Sequence, residues 1–368
     1  MIINLRNNKS QYHQKMKKLI YLTNIEVPYR VRFFNELAKH CDLTVLYERR
    51  ESSNRDKTWT DSEKGNYHEE YLDGADLGRE SSFSLRIVNV VRRGWDVVIV
   101  GCYNSKVQML AMLTMRLLKI PFFINLDGEP FIDYSLKGQV KKFFLKGAKG
   151  YLIAGVKAGE SLKANLGKDV LIIPYWFSSL SDEELQHNRH TVCERQKVTV
   201  LVIGQYYDYK GMDVAFQAAC HDQSIKYKFV GIGKRSGLFQ KNMGVIPENI
   251  VIIPFLQKKG LEEEYRKCSL MVLPSRQECW GLVINEAASF GTPVVSTWGS
   301  GAAVEFLSDE YPQYLAKAGD AESLYNCIKL CLESDNNEYS NFLKEKSVQY
   351  SIERSVRAHI DLVYSDDI

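Results

Sequence analysis

No stretch of the 368-residue chain approaches the roughly 20 consecutive apolar residues that span a bilayer, so no membrane-crossing helix is expected. The opening residues MIINLRNNKSQYHQKMKKLIYLT lack the apolar core and small-residue cleavage site of a secretory signal. The protein is therefore expected in the cytoplasm, as a soluble or peripheral chain. Its eight cysteines, at 41, 102, 193, 220, 268, 279, 327 and 331, form no CxxC pair and no regular spacing. That pattern suggests neither a zinc site nor a disulfide framework, and the thiols are read as reduced. Gly231-Ile-Gly233 lacks the rest of a dinucleotide fingerprint after its strand, which argues against a nicotinamide dehydrogenase.

What is present is the composition of a folded protein, 45% hydrophobic and 25% charged, which excludes disorder and little else. The length suggests two domains, each able to bury a sizeable core. A net charge of +3 conceals an asymmetry, because residues 1–180 hold 28 Lys and Arg against 19 Asp and Glu while the remainder holds 20 against 26. The basic half includes SLKGQVKKFFLKGAKG, where Lys137, Lys141, Lys142, Lys146 and Lys149 surround Phe143, Phe144 and Leu145. Such a segment suits either a helix lying on anionic lipid or an ordinary surface helix with a solvated basic face. Nothing in the chain points to nucleic acid.

Short β-branched runs alternate with helical patterns in both halves, the signature of βαβ units and a parallel sheet. The first series is expected at 18–23, 43–48, 68–72, 96–101, 121–127, 150–155 and 170–175. A polar leader precedes it, either disordered or an upstream start with Met16 as the alternative. The second series is expected at 198–204, 227–233, 249–255, 270–274 and 292–297. The spacing predicts an α/β chain of two Rossmann-like domains, 1–177 and 197–350. A polar linker is expected at 178–196, and a final helix in 351–368 able to dock back on the first domain. Ligands bind such sheets at the carboxyl ends of the strands, so the working cleft is expected between them.

Two stretches carry candidate chemistry. In GQYYDYKGMDVAFQAA, Gly204 ends a strand and Lys210-Gly211 precede a helix, placing a point charge beside a helix N-terminus. In SRQECWGLVINEAASFGTPVV, Glu278 follows a strand and the amides from Cys279 through Trp280, Gly281 and Leu282 to Val283 open a helix that carries Glu286. Amides suit a diphosphate and carboxylates suit hydroxyls, a combination found in a sugar nucleotide. The plain alternative is a first-turn acid complementing the helix dipole and a solvated helical glutamate.

Together the series Gly204, Lys210-Gly211, Gly231-Ile-Gly233, Pro274-Ser275, Glu278-Cys279-Trp280-Gly281, Glu286-Ala287, Gly291 and Pro293 resembles the GT-B retaining glycosyltransferases called glycosyltransferase family 4. The resemblance covers most of the second domain. The first half matches in strand order, and NIEVPYRVRFFNELAKHCDLTVLYE resembles the opening of the polysaccharide-building branch. The resemblance implies that Glu278 touches donor-sugar hydroxyls, Glu286 the ribose and the Trp280 to Val283 amides the diphosphate or sugar. Lys210 would neutralise the leaving diphosphate, where one such contact contributes roughly 3 kcal/mol to the barrier. It implies no metal and no cofactor beyond the nucleotide-sugar donor, a glycan or lipid-linked glycan acceptor, and a hexosyltransferase-type activity.

Two departures stand out. Gln205 takes the place of an arginine usual in that family, leaving Lys210 alone or assisted by Lys234 or Arg235. The histidine many members carry after the fifth strand is absent, and NLDGEP offers Asp127 and Glu129 instead, Asp127 as proton acceptor or as part of a surface turn. Pro28, Tyr29 and Arg30 follow the first strand toward the cleft as acceptor-side candidates. A sugar-nucleotide epimerase of the same architecture and a non-catalytic two-domain binding module are the rival readings.

Overall fold

The structure, a computed structural model, describes residues 16–50, 64–77, 82–130, 135–167, 170–195 and 198–365. The polar leader lies outside these residues, apart from its last two.

Seven parallel strands form the first sheet: β1 (Lys18–Thr23), β2 (Asp42–Tyr47), β3 (His68–Tyr71), β4 (Val97–Val100), β5 (Phe123–Leu126), β6 (Gly150–Ala154) and β7 (Ile172–Tyr175). Their order is β3-β2-β1-β4-β5-β6-β7. The second sheet holds β8 (Thr199–Ile203), β9 (Lys226–Val230), β10 (Ile250–Ile253), β11 (Leu270–Leu273), β12 (Val294–Thr297) and β13 (Leu315–Ala316) in the order β10-β9-β8-β11-β12-β13. Beyond the expected series lie β13, whose two residues are too few to carry a period, and a short antiparallel pair, Ala75–Asp76 with Ser82–Phe83. In both sheets the strand order reverses beside the first strand, which opens a crevice at the carboxyl edge.

Burial follows the strand period of two. Leu19 and Tyr21 of β1 share one apolar cluster with Phe33, Phe34 and Leu37, while Ile20 and Leu22 join the opposite one with Val107, Met112 and Met115. The first group lies on α1 (Pro28–Leu37), which starts with Pro28 at a position needing no N–H partner, and the second on α2 (Lys106–Leu118). With both faces covered, strands such as VVIV are apolar throughout.

The segment expected to be a plain linker contains a helix. α5 (Asp182–His190) follows α3 (Leu136–Leu145) and α4 (Val156–Leu166). It opens with a capping box, in which Glu184 N–H donates to Ser181 Oγ at 3.2 Å and Ser181 N–H to Glu184 Oε2 at 2.8 Å. The Ser-Asp-Glu-Glu run that makes this cap is a start signal in its own right. In the second domain lie α6 (Met212–Cys220), α7 (Lys258–Lys267), α8 (Leu282–Ser289), α9 (Gly301–Leu307), α10 (Ala321–Glu333) and α11 (Asn337–Ser347). The last helix, α12 (Ile352–Val363), packs on α1 and β7 of the first domain. Among the described residues no helix is long and apolar enough to cross a membrane.

Candidate active site

The carboxyl edges of the sheets meet through backbone. Gly128, after β5, has φ 137, and a Cβ built on it would stand 1.8 Å from the Cys279 carbonyl oxygen. Only glycine permits that approach. It puts the Asp127 loop of the first domain against the Glu278 loop of the second. A second contact lies beside it, where Glu305 of α9 accepts from the N–H groups of Val156 and Lys157 at 3.1 Å each.

On the second-domain side, Gly204 closes β8 by donating to Val230 O, and the Gln205 carbonyl accepts from Tyr207 N–H at 2.9 Å. A 3-10 turn, Asp208–Lys210, then delivers Lys210, and Gly211 at φ 64 turns the chain into α6. Arg276 braces this turn, donating to both Asp213 oxygens at 2.7 and 2.6 Å and to the Asp208 carbonyl at 2.7 Å. Lys210 forms an ion pair with Glu278. Glu278 is fixed by its backbone, which donates to Gly299 O at 2.8 Å and accepts from Gly301 N–H at 3.1 Å. The two residues assigned to leaving group and donor sugar thus hold each other.

Gly281, at φ 105, turns the chain into α8, whose first amides, at Leu282 and Val283, have no partner within the helix. The Trp280 ring is buried, donating to Asn285 Oδ1 at 2.9 Å and packing near Phe177 and Tyr350, so it braces the loop. Cys279 next to it keeps its side chain exposed. Glu286 already holds two hydroxyls, Ser179 at 2.8 Å and Tyr265 at 3.0 Å. Burial pushes its carboxyl above the usual range against these two bonds. It borders a small cavity lined by Leu180, Lys258, Glu262, Tyr265 and Phe290.

Of the two basic residues considered as substitutes at Gln205, Arg235 lies with its guanidinium 3.9 Å over the Tyr207 ring. Tyr207 stacks on Tyr209, and Lys210 lies over the Tyr209 ring. Burial raises the Tyr209 hydroxyl, with Lys210 and Arg235 drawing it down. For Lys234 only the backbone is described.

On the first-domain side, Arg30 does not stand open toward the cleft as the acceptor-side reading expected. That residue is only 5% exposed, surrounded by Tyr21, Tyr29, Phe33 and Phe177, and its guanidinium pairs with both oxygens of Asp127. Burial opposes the cation, and Asp127 with Tyr21 and Tyr175 outweighs it, so the guanidinium stays charged. Arg30 faces inward because the apolar stripe of α1 carries it into the core with Val31, Phe33 and Phe34. Tyr175 also donates to Asp127 Oδ1, at 2.7 Å. Pro28 and Tyr29 form the first turn of α1, half-buried at the rim, and exposed Glu129 accepts from Ser161 of α4.

Sequence reasoning missed Ser179, Tyr265, Asn125, Tyr175 and His359. Two of these had a signal: Asn125 stands two residues before Asp127 in NLD, and His359 interrupts the apolar stripe of the last helix. Ser179, Tyr265 and Tyr175 are set by tertiary packing, with no local mark.

Comparison with known proteins matches residues 183–349 to the family described as glycosyl transferases group 1. An uncharacterised glycosyltransferase of Methanocaldococcus jannaschii is 33% identical over 142 residues, 38% of each chain. An uncharacterised protein in the cps region of Klebsiella pneumoniae is 25% identical over 196 residues, 52% of each. The chain thus spans about half or less of the length of these relatives. Among solved structures, Anabaena Alr3699/HepE in complex with UDP superposes with a TM-score of 0.67 at 13% identity, covering 94% of this chain and 99% of that one. Residues 183–349 of this chain thus match the glycosyl transferases group 1 model, and the whole chain has the two-domain GT-B fold.

Proposed function

We propose that the chain is a retaining glycosyltransferase that moves a sugar from a UDP- or GDP-sugar to a lipid-linked glycan acceptor in building cell-surface polysaccharide such as capsule, exopolysaccharide or O-antigen. The observation that carries this reading is the Lys210–Glu278 pair, set on one side of the Gly128–Cys279 contact with Asp127 on the other. The structures of HepE with UDP and with UDP-glucose support a nucleotide-sugar donor, and the Klebsiella relative supports the polysaccharide setting.

In this reading the diphosphate takes Lys210 from Glu278 and lies on the amides opening α8, with Arg235 as second cation where Gln205 is neutral. Glu278 then accepts sugar hydroxyls and Glu286 the ribose. The bond from the anomeric carbon to the phosphate oxygen breaks, with its electron pair leaving on the diphosphate. The acceptor oxygen bonds to that carbon from the same face and gives its proton to Asp127. The reading includes no metal.

The membrane part rests on α3 and its neighbour α2, joined where Arg116 lies over the Phe143 ring and donates to its carbonyl. Both expose apolar side chains, Leu136, Val140 and Phe143 on one and Leu113 and Leu117 on the other, beside exposed Lys137 and Lys146. That composition suits the inner leaflet.

Incubation with a panel of UDP- and GDP-sugars, read by mass spectrometry and with the product anomer assigned by NMR, tests the reading. Transfer with retained configuration is expected. An inverted product refutes the retaining mechanism, epimerised sugar nucleotide refutes transfer, and tight donor binding without turnover makes the chain a binding module.

A further inference from the structure

Resting on the reading of Asp127 as proton acceptor, a further inference concerns the hydrogen bonds that run from it into the first domain and end on the last helix. Their directions are fixed from the Arg30 end. The carboxylate paired with Arg30 only accepts. Tyr175 therefore donates its hydroxyl to Oδ1 at 2.7 Å, and Asn125 turns its amide nitrogen toward Oδ1 at 3.2 Å and the Tyr175 oxygen at 2.9 Å. The Asn125 carbonyl must then face inward, 2.7 Å from His359 Nε2. Both ring nitrogens thus lie 2.7 Å from a carbonyl oxygen, Nε2 from Asn125 and Nδ1 from Ser355, and a neutral ring donates to only one of them. The amide orientation set from Asp127 assigns that proton to Nε2, at the cost of an unfavourable Nδ1 contact with the Ser355 carbonyl.

His359 is fully buried, edge-on to the Phe33 and Tyr175 rings. The charged groups acting on it are Arg30 from α1 and Asp127 after β5. Burial first, with Arg30 adding, keeps the ring neutral down to about pH 4. A buried imidazole costs stability unless its bonds are made, and here its Nε2 bond serves Asn125 alone. At the other end, Oδ1 of Asp127 takes Tyr175 and Asn125. Oδ2 is left with Arg30 alone among the described residues, on a side chain 30% exposed.

We propose that His359, Asn125 and Tyr175 are positioning residues for Asp127: the last helix, through Asn125, locks the carboxylate so that Oδ2 keeps a lone pair toward the acceptor hydroxyl. Without the His359 donor, the Asn125 amide is free to turn its oxygen toward Asp127, and the carboxylate loses a hydrogen bond and its fixed orientation.

The test measures steady-state transfer by the full chain and by Tyr175→Phe, His359→Phe, His359→Gln and Asn125→Leu, with thermal melting to show that each is folded. The expected result is a kcat at least tenfold lower in Tyr175→Phe, His359→Phe and Asn125→Leu, with the KM for the donor within twofold. His359→Gln, whose amide still donates to Asn125, recovers to within threefold of wild type. The double variant His359→Phe with Asn125→Leu should be no slower than Asn125→Leu alone, because both act on one carboxylate. Folded Tyr175→Phe and His359→Phe proteins with wild-type kcat overturn the inference and leave the functional reading intact, as does equal impairment of His359→Phe and His359→Gln. A wild-type chain that turns over no sugar nucleotide overturns both.

Discussion

Glu305 of the second domain and Val156 of the first are joined by a hydrogen bond of 3.1 Å from the Val156 N–H, with Lys157 N–H adding the same on the other carboxylate oxygen. A carboxylate from one domain thus caps a helix of the other, and Lys157 extends the link to Asp309 at 2.7 Å. Glu305→Ala leaves these amides and the Tyr350 hydroxyl without their acceptor. Its stability is expected to fall by about 2 kcal/mol. Thermal melting checks the loss, and limited proteolysis near residue 178 is expected to speed up. An unchanged melting curve and digestion pattern would mean that the domains do not depend on this contact.

Gly128→Ala is expected to act on turnover more than on folding. Its Cβ meets no neighbour in its own domain within the three nearest atoms, all of which belong to Cys279. The added methyl therefore presses first on Cys279 and holds the domains apart, with about 1–2 kcal/mol of backbone strain at φ 137 besides, and kcat is expected to drop about tenfold or more, since near-attack geometry is lost over displacements of about 1 Å. Small-angle scattering should report a more open particle. Wild-type kcat in Gly128→Ala would contradict the closeness of the two loops.

Those two contacts mark where the sequence stops being legible. Strand positions and most helix starts were readable because each rests on a local period or cap: VVIV and LMVL are apolar throughout because both faces are covered. The inward turn of Arg30 was not readable, since a charged residue on an apolar stripe looks solvated until its partner, 97 positions away, is known. Nor was the Ser179 and Tyr265 grip on Glu286, which joins three separate segments. The helix within 178–196 was legible in its capping signature, and its lack of apolar residues masked it.

Acid should destabilise the fold through His359. Its folded-state pKa lies near 4 against 6.5 for the free side chain. The unfolded chain therefore takes up the proton first, and the contribution of this residue is complete above about pH 6.5 and lost as the pH falls toward 4. The size is about 3 kcal/mol. Urea unfolding at pH 7 and pH 4.5 measures it, and the difference between the two should shrink by most of that amount in His359→Gln. An equal difference in wild type and variant would contradict a buried neutral ring.

Binding to vesicles containing anionic lipid is expected to weaken as salt rises, and to weaken further in the Lys137→Glu, Lys146→Glu double variant. At about 1 kcal/mol for each lysine lost, with each glutamate adding repulsion, the double variant should bind at least roughly thirtyfold more weakly. Phe143→Ala should reduce binding at every salt concentration, because its contribution is apolar. Vesicle binding that ignores both salt and these substitutions would count against the α3 surface.

The central claim is that the Lys210–Glu278 pair and Glu286 receive a nucleotide-diphosphate sugar. Donor consumption by wild type, Lys210→Ala and Glu286→Ala, measured side by side with the best UDP- or GDP-sugar, tests it most directly. Slow hydrolysis or transfer by wild type, lowered about a hundredfold in Lys210→Ala and clearly reduced in Glu286→Ala, is the predicted result. Wild-type rates in both variants would contradict it.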